Sequence, residues 1–174
     1  MEFINGGELF YHLQMAGKFS EERAKFYTAE IVLALEYLHK AGVVYRDVKP
    51  ENILIDSEGH VRLTDFGLSK GGLEENNGMT ESFCGTTEYL APEIIKDKQY
   101  GVSVDWYSLG LVIYEMISGM NPFKTGRETT FVDQMNMILQ TEIKMPPYFS
   151  KEASDFISQL LEKIVSQKFL INHF

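Results

Sequence analysis

The stretch from Ser103 to Ser118 constrains the fold more than any other, because a helix there would carry Val104, Leu109, Leu111, Val112, Ile113, Met116 and Ile117 on nearly every face. A helix that is apolar all round cannot lie on a surface, so this segment predicts a buried central strut for which the rest of the chain supplies cover. A long amphipathic helix is predicted from a Ser20 cap, with Glu21 and Glu22 in its first turn and Ala24, Tyr27, Ile31, Leu35 and Leu38 recurring at helical spacing until Gly42. A short helix over Glu8 to Met15 follows the break at Gly6-Gly7. Two more are predicted near Thr130 to Leu139 and from a Ser150 cap through Phe156, Ile157, Leu160 and Leu161.

Two apolar runs, Ile53-Leu54-Ile55 and Val61-Arg62-Leu63, flank the turn-forming Asp56-Ser57-Glu58-Gly59 and predict a β-hairpin. The fold class read from this pattern is mainly α: a helical bundle around a buried central helix, with one small hairpin. At 174 residues and 44% hydrophobic the chain is sized for a single core. From Asp65 to Glu93 no period is sustained, and irregular segments of that length in compact domains usually carry function.

The formal charge of −9 repels a phosphate backbone, which argues against nucleic acid and favours a cationic peptide partner, with an acidic balance that merely keeps the chain soluble as the alternative. Cys84 is the single cysteine, so no intrachain disulfide forms, and His12, His39, His60 and His173 are too scattered for a local metal-ligand pattern. The longest apolar stretch, Leu109 to Ile117, falls far short of the ~20 residues that a membrane span needs, and Glu2 stands where a signal peptide would be basic. These features fit a cytoplasmic or nuclear protein without a membrane span.

The chemistry concentrates in Tyr45-Arg46-Asp47-Val48-Lys49-Pro50-Glu51-Asn52, followed thirteen residues after Asn52 by Asp65-Phe66-Gly67 and closed by Ala91-Pro92-Glu93. Phosphoryl transfer needs a carboxylate beside the attacking hydroxyl and hard oxygen ligands for Mg²⁺. Asp47 suits the first role; Asn52 and Asp65, on the two sides of one hairpin, suit the second. Lys49 is suited to place positive charge on the phosphoryl group as it moves.

Order and spacing of these motifs resemble the signature of the protein kinases. The Asp-x-Lys-Pro-Glu-Asn form around Lys49 is similar to that of serine/threonine kinases, and Tyr45 together with Ser82-Phe83-Cys84-Gly85-Thr86 resembles the AGC group. The resemblance implies that residues 1–174 are the hinge and C-terminal lobe of a kinase catalytic domain that uses ATP and Mg²⁺. It assigns catalysis to Asp47, Lys49, Asn52 and Thr86, with Thr86 bridging Asp47 and Lys49, and metal binding to Asn52 and Asp65. Nucleotide contacts fall on Glu2, Ile4, Glu8, Glu51, Leu54 and Thr64. Phe66, Gly67, Glu93 and Asp105 take structural roles, Asp105 as the buried carboxylate that ties the catalytic loop to the central helix.

The same resemblance places an activating phosphate, added by an upstream kinase, on Ser82 and holds it with Arg46 and Lys70; Thr80 is the rival site. Glu8, Glu51 and Glu115 match positions that receive substrate arginines, which implies basic protein or peptide substrates, while Glu115 as a plain helix-surface charge and Glu8 as a ribose contact remain the alternatives. The Gly-rich loop and strand lysine of the upstream lobe are expected to precede Met1 and are absent from this chain, so the chain alone is expected to transfer phosphate weakly or not at all. A C-lobe that only docks basic peptides is the alternative. Further departures are Thr87 in place of proline, Ile164-Val165-Ser166-Gln167-Lys168 in place of Asp-Pro-x-x-Arg, and a short ending at Leu170 to Phe174. Lys168 stands for the arginine expected to pair with Glu93, without its bidentate fork.

Overall fold

The computed structural model describes residues 4–72, 79–80, 82–124 and 129–163. Glu2, Lys168 and the departures at Ile164–Lys168 and Leu170–Phe174 lie outside these residues. Within them the chain runs α1 (Leu9–Ala16), α2 (Glu21–Lys40), β1 (Ile53–Ile55), β2 (Val61–Leu63), α3 (Pro92–Ile95), α4 (Ser103–Ser118), α5 (Phe131–Gln140) and α6 (Lys151–Leu160). The helix starts follow local chemistry. Ser20 accepts from the Arg23 amide, Ser150 from the Ala153 amide, and Thr130 with Asp133 forms a reciprocal capping box.

α4 occupies the centre as its composition requires. Asp105, Tyr107, Leu109, Leu111, Val112 and Met116 are all fully buried, and each large apolar side chain among them contributes roughly 1.5–3 kcal/mol. It is covered by α2 on one side and α6 on another. The α4–α6 approach is close because Gly110 has no side chain: a Cβ there would lie 2.8 Å from Leu161 Cδ2 and 2.9 Å from Leu160 Cβ. α2 buries Ala24, Tyr27, Thr28, Ile31 and Leu35 along one stripe.

The hairpin pairs Ile53 with Leu63, Leu54 with Arg62 and Ile55 with Val61. It is pinned to α2 by Glu30, whose carboxylate accepts from the Val61 amide at 2.7 Å and from His60 Nδ1 at 2.5 Å. On its other edge the Ile55 amide donates to Gly7 O at 2.8 Å, and Gly6 lies so near that a Cβ would sit 2.1 Å from Ile55 O.

The irregular stretch predicted between Asp65 and Glu93 contains 3-10 turns at Phe66–Leu68 and Thr87–Tyr89, and at its end α3 begins on Pro92, which takes the first helical position where its missing N–H costs nothing. Among the described residues no helix is long and apolar enough to cross a membrane. A groove of about 690 Å³ runs between α2, α4 and α6, lined by Ala24, Val32, Ile117 and Phe156 among others.

Candidate active site

The site is built on one buried carboxylate. Asp105, in the first turn of α4, is completely inaccessible, and a charge so placed needs donors. It receives three: the Tyr45 amide at 2.9 Å, the Arg46 amide at 2.7 Å and His39 Nε2 at 2.7 Å. The chain turns at Arg46 with φ +70°, a left-handed conformation that costs a branched or long side chain energy and persists here because the Tyr45 and Arg46 amides are both held. Arg46 Nε donates to Leu68 O at 2.6 Å.

Asp47, 6% exposed, follows this turn and gathers side chains from two other parts of the chain. Its Oδ1 accepts from the Thr86 hydroxyl at 2.9 Å; its Oδ2 accepts from Lys49 Nζ at 2.9 Å and from Asn52 Nδ2 at 2.7 Å. Lys49 Nζ also donates to Thr86 Oγ1 at 2.7 Å, closing a triangle across 39 residues of sequence. Asn52 Nδ2 makes a further bond to Asp47 O at 3.0 Å, so the amide's donor end is spent on Asp47 and its Oδ1 is left as an acceptor.

Asn52 ends a 3-10 turn at Pro50–Asn52 and enters β1, and its carbonyl accepts from the Thr64 amide and hydroxyl at the end of β2. Asp65 comes next, at φ +53°, exposed, with Oδ1 accepting from Gly67 N at 3.2 Å. Phe66 packs edge-on against Tyr45 at 5.3 Å, and the Tyr45 hydroxyl donates to Thr64 O. Burial pushes the Tyr45 phenol pKa up, and the charges of Asp47, Asp65 and Asp105 push it further, so three carboxylates face one neutral ring. Among the described residues no group of three or more His, Cys, Asp or Glu could hold a metal. Asn52 Oδ1 and the Asp65 carboxylate are hard oxygen donors suited to Mg²⁺, an ion that takes one or two protein ligands and completes its shell with phosphate and water oxygens.

The family model of the protein kinase domain matches residues 1–173. The chain belongs to the protein kinase family. It is 51% identical over 97% of its length to Protein kinase 2 of Dictyostelium discoideum, and 50% identical over 97% to RAC-beta serine/threonine-protein kinase of Homo sapiens. It is 47% identical over 94% to Protein kinase C-like 1B of Caenorhabditis elegans. These similarities are to kinases of the AGC type. The chain spans 34% of the length of the first two and 22% of the third.

The remaining predicted positions of the kinase chain fall into two groups. Glu51 and Glu115 come together around Tyr89, whose hydroxyl donates to Glu115 Oε2 at 2.5 Å. Glu115 is 5% exposed, not a surface charge; burial raises its pKa, and Glu51 and Glu88 raise it further against the pull of Tyr89 and Lys124. Glu51 Oε2 is buried with no hydrogen-bond partner among the described residues. Glu8 sits on a different element, before α1, in a bridge with Leu54; Ile4, Leu54 and Thr64 are half-buried. Glu93 is buried, with Oε1 accepting from the Ser103 hydroxyl at 3.3 Å.

In the second group, Ser82 is exposed, while Arg46 and Lys70 are engaged elsewhere. Lys70 Nζ donates to Thr80 Oγ1 at 2.7 Å, and Arg46 Nη1 donates to the Tyr100 hydroxyl at 3.3 Å. Three residues at the site, His39, Glu88 and Tyr100, belong to no motif in the sequence. His39 had a faint signal, lying in the last turn of α2 just before the catalytic loop. Glu88 and Tyr100 had none, because their partners lie far away along the chain.

Proposed function

We propose that this chain is the substrate-binding lobe of a serine/threonine protein kinase that transfers the γ-phosphate of ATP to hydroxyls in arginine-rich peptides. The observation that carries the reading is the triangle of Asp47, Lys49 and Thr86 with Asn52 behind it. It leaves one carboxylate oriented by donors from three directions, beside a lysine charge.

In this reading Asp47 orients the substrate hydroxyl and accepts its proton as that oxygen forms its bond to the γ-phosphorus and the bond to the ADP oxygen breaks. Bound ATP and Mg²⁺ supply the phosphoryl group and part of the neutralising charge. Asn52 and Asp65 would hold the metal. Lys49 stabilises charge on the equatorial oxygens, and Thr86 keeps Asp47 and Lys49 in register while fixing the peptide platform. The proposed nucleotide contacts are Glu2, Ile4, Glu8, Glu51, Leu54 and Thr64.

The arginine preference is supported by buried Glu115 and by the unsatisfied Oε2 of half-buried Glu51, two carboxylates whose desolvation a guanidinium fork would repay. The same pair favours a second reading, in which this lobe docks basic peptides without transferring phosphate. Phosphorylation of Ser82 by an upstream kinase would offer Arg46 and Lys70 a stronger partner than those they hold in the unmodified chain. Cytoplasmic or nuclear residence remains part of the proposal.

The test is radiolabelled phosphate transfer from ATP to an arginine-rich serine peptide, with Asp47→Asn as control. Transfer abolished by that change supports the kinase reading, and transfer that survives it removes Asp47 from the mechanism. Peptide binding without transfer, lost in Glu115→Gln, favours the docking reading for this chain.

A further inference from the structure

Three separate parts of the chain meet at one buried phenol. Tyr100 is 1% exposed and precedes α4. Its hydroxyl accepts from Arg46 Nη1 at 3.3 Å, donates to the carbonyl of Ser82, and has Cys84 Sγ at 3.7 Å. Its backbone forms a bridge with Thr80, Tyr100 N to Thr80 O at 2.9 Å and Thr80 N to Tyr100 O at 2.8 Å. The hydroxyl therefore takes a bond from the catalytic loop and gives one to the segment that carries Thr86, while its main chain holds that segment's root.

We propose that Tyr100 is a positioning residue: its hydroxyl latches the Ser82–Thr86 segment to Arg46 in the unphosphorylated chain, occupying the arginine until a phosphate on Ser82 takes it over. The catalytic meaning of the latch rests on the kinase reading above; the latch itself does not. A phenol fits the task because one oxygen both accepts and donates, and burial pushes its pKa to about 12, so it keeps the proton it gives to Ser82 O. Thr86 lies two residues beyond Cys84 and bonds Asp47 directly, so loosening at Ser82 is felt at the Asp47 carboxylate. In a transfer-competent form, Tyr100→Phe lowers kcat of the unphosphorylated protein without raising KM for ATP, and phosphorylation of Ser82 restores it.

The deciding experiment needs no phosphoryl transfer, so it fails or succeeds independently of the kinase reading. Amide hydrogen exchange is followed in the wild-type chain, in Tyr100→Phe, and in Tyr114→Phe, which deletes a phenol hydroxyl bonded instead to Lys144 O. Alkylation of the single thiol, Cys84, by iodoacetamide is followed in parallel. The expected result is exchange about fivefold faster over residues 82–86 in Tyr100→Phe, the equivalent of one hydrogen bond, with Cys84 alkylated faster, α4 unchanged, and Tyr114→Phe like wild type. Unchanged exchange over 82–86, or acceleration shared equally with α4, overturns the latch.

Discussion

The catalytic loop and the segment it faces are held by opposite means. Val44, Tyr45 and Val48 are buried, and the loop's amides rest on a carboxylate that no solvent reaches. The facing segment exposes Ser82 and half of Phe83, and the contacts that tie it to the site include hydroxyls and one carbonyl: Thr80 to Lys70, Ser82 O to Tyr100, Thr86 to Asp47 and Lys49. Burial fixes a geometry once, whereas polar contacts at a surface can be exchanged for stronger ones. The difference teaches where this fold keeps its reaction geometry and where it leaves that geometry open to adjustment by charge.

The contrast breaks most sharply at its foundation. Asp105→Ala strands the Tyr45 and Arg46 amides and His39, and should cost about 3–5 kcal/mol of unfolding free energy, read from urea denaturation; a loss no larger than that of Thr86→Ala would erase the distinction between the two regions. Next comes Glu115, where α4 meets the segment through Tyr89. Its pKa is raised by burial, so the carboxylate that attracts guanidinium is lost as pH falls through that raised value. Affinity for an arginine-rich peptide, measured by calorimetry, should weaken toward acid in the wild type, while in Glu115→Gln it should be lower by about 1.5–3 kcal/mol at neutral pH and depend less on pH.

Thr86→Ala should cost only about 1 kcal/mol of stability yet reduce phosphate transfer, and Thr86→Ser should recover both. The smallest effect belongs to His60, outside both regions. Its bond to Glu30 raises its pKa, so the bond contributes stability below the unfolded value near 6.5 and loses it as pH rises through the raised one. The difference in melting temperature between wild type and His60→Gln should therefore shrink from about pH 6 to about pH 8, with the site unaffected.

Periodicity and capping chemistry made α4, α2, α6 and the hairpin legible, with boundaries close to those observed, because each is specified by residues within a few turns of one another. α3 lies at the end of the irregular stretch, where the sequence pattern shows no helix although Pro92 is a start signal. The motif named Asp47, Lys49, Asn52 and Asp65, but its partners were harder to read. His39 reaches Asp105 across 66 positions and Tyr100 reaches Arg46 across 54, distances over which no local pattern survives. Lys70 shows the same limit: its charge was readable, whereas its bond to Thr80 follows from the pairing of Thr80 with Tyr100.

The contact at Gly6 has a consequence for anyone interpreting variants of this chain. β1 is three residues long, with Ile55 pressed against Gly6 at one end and Asn52 adjoining it at the other. A methyl group added at Gly6 would have to push Ile55 aside, and with so short a strand between them the shift is expected to reach the proposed metal ligand. Such a substitution, though more than forty positions from Asn52 in the sequence, would score in a functional screen as an active-site lesion.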